Sequence, residues 1–159
     1  MKKTEFRKNL LKVLVYKESD DIAKAEAEFV SNRLNIAISQ KGTANLVLAT
    51  GASQITFTEY LKKQDIDWNK ITVFHLDEYK GMPDTHPASF RRYLKERLLN
   101  YVQPARVFFL NGDAPDPEAE ALRYENLLKE NPVDIACIGI GENGHIAFND
   151  PPVADFDDP

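Results

Sequence analysis

Three short stretches of the 159-residue chain carry residue types that handle protons or anions. In GIGENGHIAFND, residues 139–150, His145 stands in a glycine-rich turn with Asp150 five positions on. An imidazole and a carboxylate so placed suit an acid/base pair, because the carboxylate orients the ring and stabilises its protonated form. A histidine bonded only to loop backbone is the competing reading. Asp77 and Glu78 come directly after the apolar run ITVFHL. A partly desolvated carboxylate at a strand end gains a raised pKa and serves as a general base. A solvated acidic turn is the commoner reading of an isolated D-E-Y. In LATGASQ, Gly51, Ala52 and Ser53 let the backbone approach an anion, and a following helix supplies donors and partial positive charge. The alternative is a tight turn with Ser53 as a helix cap.

Gly139, Gly141 and Gly144 also fit the G-x-G-x-x-G dinucleotide fingerprint. That reading needs a long helix after the last glycine and an acidic residue about 20 positions onward. Pro151 and Pro152 stop such a helix, so the dinucleotide reading is rejected. His75 lies inside an apolar run and reads as structural. His86 precedes Pro87 and reads as a helix cap. Cys137, the only cysteine, sits in the apolar run VDIACIGI and reads as a small buried hydrophobe.

The elements that must position these residues follow from hydrophobic pattern. LKVLVY (11–16), NLVLAT (45–50), ITVFHL (71–76), RVFFLN (106–111) and VDIACIGI (133–140) read as strands. Most are continuous apolar runs, as in strands covered on both faces of a parallel sheet. Helical spacing separates them. The first helix starts at Ser19 as N-cap and stops near Gly42. The second is SQITFTEYLKK. The third starts near Pro87 with Phe90, Leu94 and Leu98 on one face. The fourth has Asp116 as cap and Pro117 first, with Ala121, Tyr124 and Leu128 inside. This alternation predicts one α/β domain with a mainly parallel sheet and helices on both faces. Ligands in such sheets sit at the carboxyl ends of the strands, where all three stretches lie.

The net charge of −5 argues against nucleic acid as a partner, since phosphate contacts need a basic face. The N-terminal MKKTEFRKNL lacks the apolar core of a signal peptide, and no run reaches membrane-spanning length. A cytoplasmic location is the default expectation.

FHLDEYKGMPDTHPASF followed by GIGENGHIAFNDPP resembles the glucosamine-6-phosphate deaminase (isomerase) family. LATGASQ and LNGDAPDPEAEALRYE support the resemblance, in the same order and over essentially the whole chain. The resemblance implies a Rossmann-like three-layer α/β/α fold, and conversion of a phosphorylated amino sugar, glucosamine 6-phosphate, to fructose 6-phosphate and ammonia. It implies no metal and no cofactor. By motif, Asp77 is the base that moves a proton between C2 and C1, His145 assists ring opening, and Asp150 orients His145. Asn143 joins these as a catalytic-site residue. Gly51, Ala52 and Ser53 hold the phosphate, and Glu78 and Gly144 are counted with them as substrate-binding residues.

The family often has Asp in place of Asn143 and Glu in place of Asp150. The shorter Asp150 is therefore expected to meet His145 over a longer or water-bridged gap. Family members also continue well beyond this length. The closing PPVADFDDP brings no helix to cover the last strand. The segment accordingly reads as the front part of a longer domain, truncated at its C-terminus, or as one that associates with another chain or with copies of itself as a homo-oligomer. Two rival readings stay open: a 6-phosphogluconolactonase-like hydrolase, and a non-catalytic sugar-phosphate-binding regulatory domain. IAFND after His145, in place of the hydrolase's T-A-S-L-F-P, and the presence of both Asp77 and His145 favour the deaminase.

Overall fold

The computed structural model describes residues 2–151, 154 and 155. Chain order is β1 (Lys2–Lys8), β2 (Leu11–Tyr16), α1 (Ser19–Lys41), β3 (Ala44–Leu48), α2 (Ala52–Leu61), β4 (Ile71–His75), α3 (Phe90–Leu94), β5 (Arg106–Phe108), α4 (Pro117–Glu130) and β6 (Ile135–Cys137). A four-stranded sheet has the order β5-β4-β3-β6, and all its pairings are parallel. The central strands ANLVL and ITVFH are buried at every position, as their unbroken apolar character requires.

Successive side chains of a strand point to opposite faces, and this builds two cores. On one face Leu46, Leu48, Ile71 and Val73 pack with Ala27, Val30 and Leu34 of α1, Phe57 and Leu61 of α2, and Leu94 and Leu98. On the other, Val47 and Phe74 meet Tyr124 of α4, with Phe108, Leu127 and Leu128 against them. The result is the expected three-layer α/β/α arrangement.

The run LKVLVY departs from expectation. It stands outside the parallel sheet and pairs antiparallel with β1 in a separate two-stranded hairpin. Asn9 takes the left-handed φ of 53° that a tight hairpin turn needs and that Asn tolerates. A strand tied two residues away through such a turn reaches its partner before any distant one. The basic segment at the start of the chain is that partner.

Helix starts shift slightly. Glu18, not Ser19, is the residue before α1, and Gly42 ends it in the left-handed region. Asp116 caps α4 as expected, accepting from the backbone N–H groups of Glu118 and Ala119. The helix expected near Pro87 begins at Phe90, capped by Ser89 and not by His86, and passes into a π-helical turn over Lys95–Leu99. Pro152, Val153 and residues 156–159 lie outside the described residues, and with them most of the tail expected to bring no further helix.

Candidate active site

Three loops leave the carboxyl ends of β3, β4 and β6 and enclose a cavity of about 520 Å³. The β3 loop contributes Thr50, Gly51 and Ser53; the β4 loop Asp77 and Tyr79; the β6 loop Gly139, Gly141, His145, Phe148 and Asp150. Strands β3 and β6 are neighbours in space although far apart in the chain, and this brings the first and last loops together.

The β3 loop turns at Gly51, whose φ of 108° falls where side chains are rarely accommodated. α2 follows with Gly51 at its N-cap and no side-chain cap, so Ser53 is inside the first turn rather than capping it. Tyr93 donates its hydroxyl to Gly51 O at 2.9 Å and steadies the turn. Ser53 faces the cavity beside the positive end of α2; Ala52 does not line it.

The β4 loop separates its two adjacent carboxylates. Asp77 lines the cavity, half-buried. Burial pushes its carboxyl above the ordinary range, and the neighbouring Glu78 charge adds to this. Glu78 turns away. Its side chain is 1% exposed and receives the Ser89 hydroxyl at 2.8 Å and the backbone N–H groups of Tyr79, Phe90 and Arg91 at 3.0 to 3.1 Å. Burial alone would raise this carboxyl, but those donors hold it below its ordinary value. Glu78, expected among the substrate-binding residues, pins the start of α3. Arg91 beside it donates to Met82 O at 2.6 Å and to Asp113 at 2.8 Å, closing the base of the loop.

The β6 loop is tied to itself. His145 Nδ1 lies 2.5 Å from Asn143 Oδ1 and 2.9 Å from Asp150 Oδ1. Two oxygen acceptors at Nδ1 place the ring proton there and leave the Nε2 lone pair free. Asn143 donates to Asp150 at 3.0 Å and accepts from the His145 backbone N–H at 3.1 Å, which fixes its amide orientation. The shorter Asp150 thus reaches the ring directly, not across the expected longer or water-bridged gap. Gly141 is needed for close approach: a Cβ there would overlap the His145 ring. Asn143 and Gly144 lie behind the ring, bordering a second hollow with Ile146 and Pro151 rather than the main cavity.

Sequence reasoning missed the apolar wall. Tyr79, Phe90 and Phe148 form a ring cluster, with centroids 4.9 Å apart for Tyr79–Phe90 and 5.2 Å for Tyr79–Phe148. Its signal was present in D-E-Y and H-I-A-F, an aromatic residue two positions after Asp77 and three after His145. Among the described residues, no three His, Cys, Asp or Glu side chains gather as a metal-binding group. Nor is any helix long and apolar enough to cross a membrane.

Residues 17–148 match the model of the family described as glucosamine-6-phosphate isomerases/6-phosphogluconolactonase. The chain belongs to this family. A glucosamine-6-phosphate deaminase of Exiguobacterium sp. is 40% identical over 144 residues, covering 91% of this chain and 55% of the relative. One from Bacillus cytotoxicus is 35% identical, covering 89% and 52%. The chain therefore spans about half the length of the curated relatives it matches. Among solved structures of the family, a monomeric glucosamine-6-phosphate deaminase superposes with a TM-score of 0.77 at 32% identity, over 86% of this chain and 58% of that one. A 6-phosphogluconolactonase from Shewanella baltica reaches 0.74 at 25% identity, over 82% and 57%.

Proposed function

We propose that the site belongs to a glucosamine-6-phosphate deaminase, which takes up water and releases fructose 6-phosphate and ammonia. The observation that carries this reading is one cavity holding a half-buried Asp77, a His145 anchored through Nδ1, and Ser53 at a helix N-terminus. His145 Nε2 accepts the proton of the C1 hydroxyl and passes it to the ring oxygen as the C1–O5 bond breaks. The C2 proton becomes acidic only in the open form. Asp77 then takes it and returns it to C1, leaving an imine at C2 that water hydrolyses to the ketone and ammonia; the desolvation that raises the Asp77 pKa makes it a stronger base. Asn143 and Asp150 hold the imidazole in the tautomer this requires. Ser53 and the turn at Gly51 hold the phosphate, which fixes C1 and C2 against the two groups. Greater identity to the solved deaminase than to the hydrolase supports this choice.

Residues 1–159 belong to a single α/β domain of that enzyme, which works in the cytoplasm. The homo-oligomeric arrangement rests on Ile22, Phe29 and Ile36, spaced along the outer side of α1 and all exposed. Solution mass checks the last point, and a monomer removes it. For the activity, the intact protein is given glucosamine 6-phosphate and 6-phosphogluconolactone in separate assays. Ammonia from the first supports the deaminase. Hydrolysis of the second alone selects the hydrolase, and binding without turnover selects a regulatory domain.

A further inference from the structure

Gln54 follows Ser53 in the first turn of α2 and is 4% exposed. Its Nε2 donates to Ser53 Oγ at 3.3 Å. Its Oε1 is buried and has no hydrogen-bond partner among the described residues. An unpartnered buried carbonyl is costly, so the amide sits here against a penalty to its own packing. The contact lies where two loops meet. A Cβ on Gly139 would stand 3.3 Å from Ser53 Oγ and 3.7 Å from Gln54 Nε2. Ser53 and Gly139 both line the cavity.

The direction of this bond has a consequence for the hydroxyl. A serine hydroxyl has one proton and two lone pairs. Gln54 occupies a lone pair, so the proton of Ser53 points away from Gln54. The cavity lies there, at the positive end of α2, a setting that suits an anionic oxygen as acceptor. No Lys or Arg lines the cavity among the described residues, so the aim of each neutral donor counts for more.

We propose that Gln54 is a positioning residue that fixes the Ser53 hydroxyl as a donor to the substrate's phosphate. The inference rests on the reading of Ser53 as a phosphate ligand. Gln54→Met keeps the length but frees the hydroxyl to turn. Gln54→Glu reverses the bond: its carboxylate takes the Ser53 proton and sets a negative charge beside the anion.

The test uses the intact protein, calorimetric titration with inorganic phosphate, and KM and kcat for glucosamine 6-phosphate. Gln54→Met weakens phosphate binding by about 3–10-fold, the worth of one neutral hydrogen bond. Gln54→Glu weakens it by about 10–100-fold, because a charge is involved. Both losses fall in KM rather than kcat. In a Ser53→Ala background Gln54→Met adds no further loss, since its only route to the ligand is gone. A Gln54→Met loss of equal size in that background overturns the proposal and makes Gln54 structural. So does an unchanged phosphate affinity in Gln54→Met while Ser53→Ala weakens binding. If Ser53→Ala itself leaves phosphate binding unchanged, the phosphate reading of Ser53 fails and this inference fails with it. Should Gln54→Glu not fold, the Met variant in both backgrounds decides.

Discussion

The loops after β4 and β6 carry the two halves of the proposed acid/base machinery but are held in different ways. The β4 loop is fastened to distant parts of the chain. Glu78 grips the start of α3, Arg91 reaches Met82 and Asp113, and Gly81 donates to Gly112 O at 2.6 Å. The β6 loop is fastened mainly to itself, through Asn143, His145 and Asp150 and a bond from Gly141 N to His145 O at 2.9 Å. Its outward tie is Phe148, stacked against Phe90 at 6.2 Å. Asp77 thus rests on a support shared with the fold, whereas His145 rests on a local clasp. Damage to the first support is expected to cost stability, and damage to the second to cost turnover alone.

The sharpest separation comes at Asp77, which belongs to the β4 loop but takes no part in fastening it. Asp77→Asn is predicted to lower turnover by about 10²–10⁴-fold while the unfolding midpoint holds. Ammonia release and thermal melting read the two quantities, and turnover within a few-fold of wild type would remove Asp77 as the base. Its neighbour should behave in the opposite sense. Glu78→Ala leaves α3 without its carboxylate and Arg91 without one of its two, and is predicted to cost about 3–5 kcal/mol in urea unfolding. A cost below about 1 kcal/mol would mean that the β4 loop is no better fastened than the other.

Acid should also weaken the β4 side. His75 is 1% exposed at the end of β4, and burial lowers its pKa to about 4, partly offset by Glu78. The unfolded chain binds this proton near pH 6.5 and the folded chain only near 4, so the unfolded state gains protons as pH falls. The contribution is complete above pH 6.5 and is lost on the way down to 4, amounting to about 3 kcal/mol. Urea unfolding at stepped pH should show this slope in wild type and lack it in His75→Gln; equal slopes would refute it. The smallest effect is expected in the clasp. Gly141→Ala pushes the His145 ring aside, and a displacement of about 1 Å is worth on the order of 10²-fold in turnover. Stability should change by less than about 1 kcal/mol, and a larger loss would show that the clasp also supports the fold.

Much of this architecture was legible in residue pattern. ANLVL and ITVFH are apolar throughout because both faces are covered, and Asp116–Pro117 marks a helix start through local backbone chemistry. The three loops with chemical content were legible too, since function gathers after the strands of such a sheet. LKVLVY was not. Its apolar character fits a hairpin as well as a central strand, and the choice depended on the turn at Asn9.

What the sequence by itself determined is the set of elements and the residue types at their ends, because these follow from spacing and near-neighbour chemistry. What only the tertiary structure decided is which way each end group faces. Asp77 and Glu78 are adjacent, yet one enters the cavity and the other is drawn off by N–H groups that α3 presents twelve and thirteen positions later. Asp150 meets His145 at 2.9 Å because the chain folds back between them through Ala147, at a φ of 55°. Ser53 shares a cavity with His145 because β3 pairs with β6. These are contacts between residues far apart in the chain or across a turn. Their geometry depends on packing of the whole sheet, which no local pattern encodes.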